Sequence, residues 1–487
     1  MASQAAGVKE TGYQITFGIR REVLRIFLAM ETNTTPNQTT FHRALGVLRH
    51  RAYLIFWIGA FISNTGNWTE NVAQSWAVTN QTVGNPHQGM MVEILQFADF
   101  CPVLMLALLA GVISDRVNRK IWVIILQSTA CLLGAGLAVA AFFHHATPWV
   151  VIAFTFLEGV VWALNGPAIM AIVPSLIPRG ELDRALALNS VQFNMARLCG
   201  PMLAAAVIAG LGVAGAFTFN AFTFIPLLIA LFYAIPHSPA LPKAKPTSIS
   251  HDIREGLKFV WTHPGTRRLT IMSLIFMFLT APVQGLLPVF AQSVLHGGPG
   301  LFSFMLGAIG LGSIIGAFVL SSIPAYYPRH HLIPLSMCTF SAIGVMFSFS
   351  KIPLLSVGIL VVAGTFWLLA LNPSNTANQL LATDANRGRV LSVMLLAQQG
   401  GMPLGHLFAG FLTRYMSVPW VLRVMLGTLF LIMLVFVFVR EPAIDNMTRR
   451  PPHERGLRAT IWEAITAHSH HPNYPAEIAV DAEKESR

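Results

Sequence analysis

Charge is what this chain has least of. Only 11% of its 487 residues are Asp, Glu, Lys or Arg, against about 25% in a soluble globular domain. A shortage on that scale excludes an ordinary water-soluble fold. Cysteine is scarce too. Cys101, Cys131, Cys199 and Cys338 each sit inside an apolar run with no Cys-x-x-Cys spacing, which argues for small core residues and against a disulfide framework or a cysteine metal site. No G-x-x-x-x-G-K-[ST] loop is present, so a pump driven by a P-loop nucleotide site is excluded. The net charge of +11 does not point to nucleic acid, because the basic residues lie in short turns between apolar runs and cannot form a continuous face. No cofactor or metal set is called for: the histidines of the tail, His468, His470 and His471, are the nearest thing to a ligand cluster. Residues 1–29 lack a cleavable signal, since the apolar run RIFLAM is too short; Met30 onward reads as a complete start, with 1–29 either an upstream extension or a misassigned start.

What is abundant is hydrophobic length. Residues of apolar type make up 54% of the chain, and mean hydropathy is +0.60. Stretches of roughly 20 apolar residues, enough to cross a bilayer, recur at 53–79, 89–114, 121–143, 148–173, 186–211, 214–235, 267–293, 301–323, 332–349, 353–377, 390–413 and 418–439. The prediction is twelve helices. Lys and Arg then set their direction, because short cytoplasmic loops are enriched in them. Arg43, Arg49 and Arg51 precede the first stretch; the loops after the second, fourth, sixth, eighth and tenth are basic as well, whereas NQTVGNPHQ, HHATP and HGGPG hold neither residue and only Lys351, Arg414 and Arg423 fall on the opposite side. Both termini are therefore expected in the cytoplasm, with the chain in the inner membrane of the cell.

The longest connection, 236–266, is rich in Pro and Lys and divides the chain into six stretches and six. The expected units are a 1–40 cytoplasmic extension, a 41–235 half, the 236–266 loop, a 267–440 half and a 441–487 tail that reads as disordered. A duplication leaves matching residues at a fixed offset. Ser190-Val191 and Pro201 recur as Ser392-Val393 and Pro403, 202 positions on, and Leu164-Asn165 recurs as Leu371-Asn372, 207 positions on. Parallel repeats of six helices with a solute site between them are one way transporters are built.

One short segment breaks the apolar pattern. AGVISDRVNRK (110–120), with Gly111, Asp115, Arg116, Arg119 and Lys120, resembles the Gly-x-x-x-Asp-Arg-x-Gly-Arg-Lys signature of the major facilitator superfamily. Asn118 stands where that signature has Gly, a tolerable change because Asn visits left-handed backbone more readily than most residues. SNTGNWTENVAQSWAVT (63–79), WALNGPAIMAIVP (162–174), NSVQFNMARLCGP (189–201) and RGRVLSVMLLAQQGGMPLG (387–405) are similar to its drug and siderophore exporter branch, and the resemblance covers roughly 41–440. It implies an all-α polytopic membrane protein of twelve helices in two six-helix pseudo-repeats, a secondary active transporter and not an enzyme. It also implies that the charged segment belongs to a cytoplasmic gate, in which Asp115 approaches the helix N-terminus near Val390 and Arg116, Arg119 and Lys120 pair with Glu181 and Asp183. Gly200-Pro201 is what remains of the branch's helix-packing motif in the fifth stretch, where small residues let helices approach.

Ionisable groups inside a bilayer are functional candidates because burying a charge is costly. At about 1.5 Å per residue, Asp99, Glu158 and Arg197 lie near mid-membrane, and pairing of Arg197 with Glu158 or Asp99 is feasible. Glu70 lies nearer the outer face; Glu93 and His406 do too, where access to water accounts for them. Asp99, Glu158, Glu70 and Arg197 are therefore the expected proton-coupling groups. Asn64, Asn67, Asn71 and Gln74 recur at spacings of three and four, forming a polar stripe that must face protein or a cavity. With Trp162, Asn165, Asn372 and Asn375 they read as an apolar wall carrying a few polar anchors, suited to a bulky amphipathic solute, or as interhelical hydrogen bonding. The expected function is proton-coupled export of small amphipathic molecules, drugs or siderophores, by a monomer through alternating access. A lipid or lysolipid translocator stays open, and so does a polytopic membrane enzyme, which would need catalytic groups clustered at one face.

Overall fold

The computed structural model describes residues 46–234, 249–323, 329–382 and 387–439, together with Ile444. No strand occurs among them. The helices are α1 (Arg51–Gln81), α2 (Gln88–Arg116), α3 (Arg119–Phe142), α4 (Pro148–Met170), α5 (Leu182–Ile229), α6 (Ile249–Thr262), α7 (Pro264–Gly285), α8 (Leu287–Ser293), α9 (Pro299–Ser322), α10 (Arg329–Phe347), α11 (Pro353–Leu381), α12 (Arg387–Leu412) and α13 (Val418–Phe438). Among the described residues nine helical segments are long and apolar enough to cross a membrane. The long α5 is one of these, and it bends at Gly212, whose φ of 69° is strained for any residue with a Cβ. That bend falls between the fifth and sixth predicted stretches. The more polar α1 and α12 match the first and eleventh.

Two boundaries differ from expectation. The stretch 267–293 is not one rod, since the helix breaks at Leu286 between α7 and α8. Pro288 has no N–H to offer the carbonyl of Gln284, so the ladder loses a rung there. The 236–266 connection is not wholly loop either: it contains α6, strongly amphipathic, which lies against α12 and α7. Residues 236–248 of that connection fall outside the described residues, as do the expected 1–40 extension and all but Ile444 of the tail.

Caps place the short turns. The Thr147 hydroxyl accepts the Val150 N–H at 3.4 Å ahead of Pro148, and Pro264, Pro299 and Pro353 likewise open helices, where a missing N–H costs nothing. The bundle thus has one basic end, carrying Arg49, Arg119 and Arg184, and one end whose turns 82–87, 143–147 and 294–298 carry no Lys or Arg, while its other two turns hold Lys351 and Arg414. Between the helices before the 236–266 connection and those after it run two seams. Antiparallel α2 and α12 pack from Gly89 opposite Thr413 to Leu104 opposite Gly400, and α5 packs on α9 where Gly310 and Gly307 face Leu198 and Met202.

Candidate functional site

The polar stripe of α1 is spent on neighbouring helices, one amide to each. Asn71 donates to Asp99 of α2 at 3.3 Å and Gln74 donates to Glu158 of α4 at 2.7 Å. Asn64 meets Gln192 of α5 at 3.4 Å. Glu70, beside the stripe, accepts from Asn220 beyond the bend of α5. Glu70 is 4% exposed, so its nearness to the outer face does not give it water. The close packing that excludes water there rests on Gly66, since a Cβ at that position would lie 1.9 Å from the Thr223 hydroxyl. Asp99, Glu158, Asn71 and Asn67 keep partial exposure. One carboxylate oxygen on each of Glu70 and Glu158, and the Asn165 carbonyl, has no hydrogen-bond partner. These acids are therefore held by neutral donors and have unused acceptor capacity.

Arg197 does not pair with them. Its guanidinium lies over the Trp68 ring, 5.5 Å from the centroid, and it makes no ion pair among the described residues. The reason is local: Gly200 lets α1 and α5 approach so closely that an added Cβ would sit 2.3 Å from the Trp68 Cβ, and the indole comes to occupy the space beside Arg197. Phe193 touches Trp68 edge-on at 6.3 Å and Trp162 at 6.4 Å, joining the expected Trp162 to this aromatic patch. Gly200→Ala should lower stability by about 1–3 kcal/mol through overpacking, read as a fall in the thermal midpoint of the detergent-solubilised protein. In the second group of helices Asn375 accepts from Gln398 at 2.8 Å, while Asn372 is exposed. An apolar groove of about 480 Å³ between α2 and α4 is lined by Ile94, Phe97, Trp149 and Phe156 and holds none of these polar groups.

Glu93 and His406 are the surprise. Both are 0% exposed, and His406 Nδ1 lies 2.5 Å from a Glu93 carboxylate oxygen across the α2–α12 seam. Access to water therefore does not account for them. Asn220 and Gln192 were not singled out from the sequence, although Asn220 is the lone amide in the run AFTFNAFTF, a signal of the same kind as a buried acid.

At the basic end Glu181 has partners that were not singled out from the sequence. Glu181 pairs with Arg49 at 2.5 Å and His50 at 2.9 Å, which fold over from the start of α1. Lys120 donates to the Phe232 carbonyl at 3.1 Å, and Asp183 is exposed. Asn118 is not left-handed: at φ −66° it caps α3, its side chain accepting from Lys120 N and Ile121 N. A glycine has no side chain to do this, so the departure from the signature carries its own function. The side chains of Gly111, Asp115 and Arg116 lie outside the described residues. The hydrogen bond from His50 holds the Glu181 carboxyl below the usual glutamate range, with Arg49 and Arg184 acting in the same sense. A depressed carboxyl contributes above its unfolded value, about 4.3, and loses its contribution only as pH falls through the lower folded value. Label distances between α1 and the Arg179–Glu181 turn should therefore stay constant on acidification to about pH 4.3.

The transmembrane secretion effector family model matches residues 42–462. The chain belongs to this family. The staphyloferrin A transporter of Staphylococcus aureus is 25% identical over 79% of this chain and 96% of its own length. The multidrug efflux pump Tap of Mycolicibacterium fortuitum is 25% identical over 73% and 88%. Among solved structures, an inward-facing bacterial homologue of the iron transporter ferroportin superposes with a TM-score of 0.61 at 15% identity, over 82% of this chain and 99% of that one. This secretion effector family member is thus a major facilitator transporter, multi-pass in a membrane and moving small molecules, and not an enzyme.

Proposed function

We propose that the chain sits in the cytoplasmic (inner) membrane as a monomer, with both termini inside, and exports a siderophore-like or drug-like amphipathic molecule in exchange for protons. The basic end is then cytoplasmic and the turns 82–87 and 294–298 are outside. The two groups of six helices rock about the α2–α12 and α5–α9 seams, exposing the region between them alternately to each side.

The observation that carries this reading is the wiring of α1. Its amides reach acids on α2 and α4, and Glu70 beside them reaches Asn220, so adding or removing a proton on Asp99, Glu158 or Glu70 changes how α1 is held. A carrier needs that link between proton binding and helix packing. The aromatic patch of Trp68, Trp162 and Phe193 supplies apolar wall, and Asn67, Asn165, Asn372 and Asn375 supply polar anchors. Export against a gradient from proteoliposomes with an imposed pH difference, run over siderophores, drugs and lysolipids, tests the reading; transport of lysolipid alone would favour the lipid-translocator alternative.

The Asp115 segment fits a cytoplasmic gate in this scheme. Asp115→Asn should leave the protein inserted and shift it toward the inward-open state, because a charge–dipole contact contributes about 0.3–1 kcal/mol. Double-label distances across the cytoplasmic face read the shift, and an unchanged distribution would rule out a latch at Asp115.

A further inference from the structure

We propose that Arg197 binds a carboxylate of the transported solute, so that the molecule this chain exports is an amphipathic organic acid. The proposal rests on the exporter reading above and adds the charge of the solute.

Arg197 is a cation without an anion. Among the described residues its guanidinium makes no ion pair and no hydrogen bond, and the Trp68 ring is what its charge meets. A ring offsets part of that charge but offers no acceptor atom to five N–H groups. The acids of the α1 cluster are already committed, Asp99 to Asn71, Glu158 to Gln74 and Glu70 to Asn220. Nor is the guanidinium sealed away. Arg197 keeps partial exposure, and whereas the spare oxygens of Glu70 and Glu158 are enclosed, the Arg197 nitrogens are not. The donors face accessible space.

Position decides what can reach them. Arg197 is fifteen residues from Leu182 and fifteen from the bend at Gly212, about 22 Å from either end of that segment, so headgroups of the surrounding bilayer stay out of reach. On α5 the side bearing Gly200 faces α1, and the opposite side, bearing Leu198 and Met202, faces Gly310 and Gly307 of α9. At 3.6 residues per turn Arg197 falls between these two sides, on the same flank as Phe193, which touches Trp162 of α4. The guanidinium thus stands among α1, α4, α5 and α9, and α9 alone comes from beyond the 236–266 connection. The named contacts of the α5–α9 seam lie outward of Arg197, which leaves the approach from the cytoplasmic side, where an exported solute loads, free of that closure.

The chemistry selects the ligand. A planar carboxylate matches the guanidinium fork through two parallel N–H···O bonds, and it supplies the counter-charge that a cation at mid-membrane lacks. The helices α1, α4, α5 and α9 bring no other Lys or Arg to this depth, so one negative charge is balanced and a phosphate dianion is not. The ligand also has an apolar body. Phe193 lies 6.3 Å from Trp68 and 6.4 Å from Trp162, an aromatic wall that starts at the cation itself and leads away from it.

The test measures binding of pyrenebutyrate, an aromatic acid, and of pyrenebutanol, its neutral counterpart, to the full chain in phosphatidylcholine vesicles. At about pH 8 the acid is ionised, and the saturable part of tryptophan-sensitised pyrene emission reports occupancy, with each probe's concentration taken in the bilayer. The native protein should bind the acid about 30-fold or more tightly than the alcohol, the loss expected when one partner of a desolvated, hydrogen-bonded charge pair is removed. Arg197→Gln should bring the acid down to the alcohol's affinity and leave the alcohol unchanged. Asn194 is exposed, and its amide is turned to the Ser190 carbonyl at 2.8 Å. Asn194→Asp keeps its size and sets an anion three residues from Arg197 on the same helix, so it should weaken the acid in the same way from within the chain. Equal affinities for acid and alcohol in the native protein, or an unchanged acid affinity in Arg197→Gln, overturn the proposal. If Arg197→Gln does not insert, an unchanged acid affinity in Asn194→Asp overturns it instead. Uphill export in the same vesicles separates the two readings: acid bound at Arg197 but never exported leaves the site standing and removes the exporter, whereas export of neutral or cationic solutes with no acid bound refutes the site and leaves the exporter.

Discussion

Glu158→Gln and Asp99→Asn, made singly, should each reduce uphill export to simple equilibration while substrate exchange continues. A gradient of about two pH units supplies ~2.7 kcal/mol for each proton, enough for about 100-fold accumulation of substrate, so the expected loss is from about 100-fold to none. Both replacements keep their partners: a glutamine at 158 still accepts from Gln74, as the carboxylate does at 2.7 Å, and an asparagine at 99 still accepts from Asn71. What they remove is the exchangeable proton. Accumulation and counterflow measured on the same vesicles separate these effects, and if both variants still concentrate substrate the two acids are structural and coupling lies at Glu70 or at the pair of Glu93 and His406.

Asn220→Leu should be the most destabilising conservative-sized change in the N-terminal half. Glu70 is buried, and among the described residues its only hydrogen bond comes from Asn220 and its second oxygen lacks a partner. Stranding it costs about 1–3 kcal/mol and more for a charged acceptor. No water can replace the amide, because α1 and the second part of α5 touch at Gly66. Thermal unfolding in detergent should show a clear drop for Asn220→Leu that the double variant with Glu70→Leu recovers, since removing both partners leaves nothing unsatisfied. A single variant that melts like the native protein would contradict this account of the pair.

Much of the architecture is legible from composition alone. Apolar runs of bilayer length specify helices because no other open structure satisfies its backbone in lipid, and the ends of α3, α4, α9 and α11 fall within a few residues of the predicted stretches. Gly212 and Pro288 punctuate the chain for reasons readable at single residues. The acids were legible as well, since depth needs only counting. Their partners were not. Arg197 and Glu158 sit on consecutive helices at similar depth, and counting cannot tell that Trp68 takes the guanidinium and Gln74 the carboxylate. That Glu181 meets Arg49 and His50 was not legible for the same reason: it depends on how α1 enters the bundle.

The sequence by itself determined that this is a helical membrane transporter with few charges and that those few matter, because the cost of burying charge in lipid is a property of the residue and its depth. Only the tertiary structure decided which groups meet. Glu93 and His406 are 313 positions apart, and each taken alone looks like a residue near enough to water to need no partner. Packing α2 against α12 removes that water and leaves each as the other's counter-charge, a consequence of helix docking that no local pattern in either segment encodes.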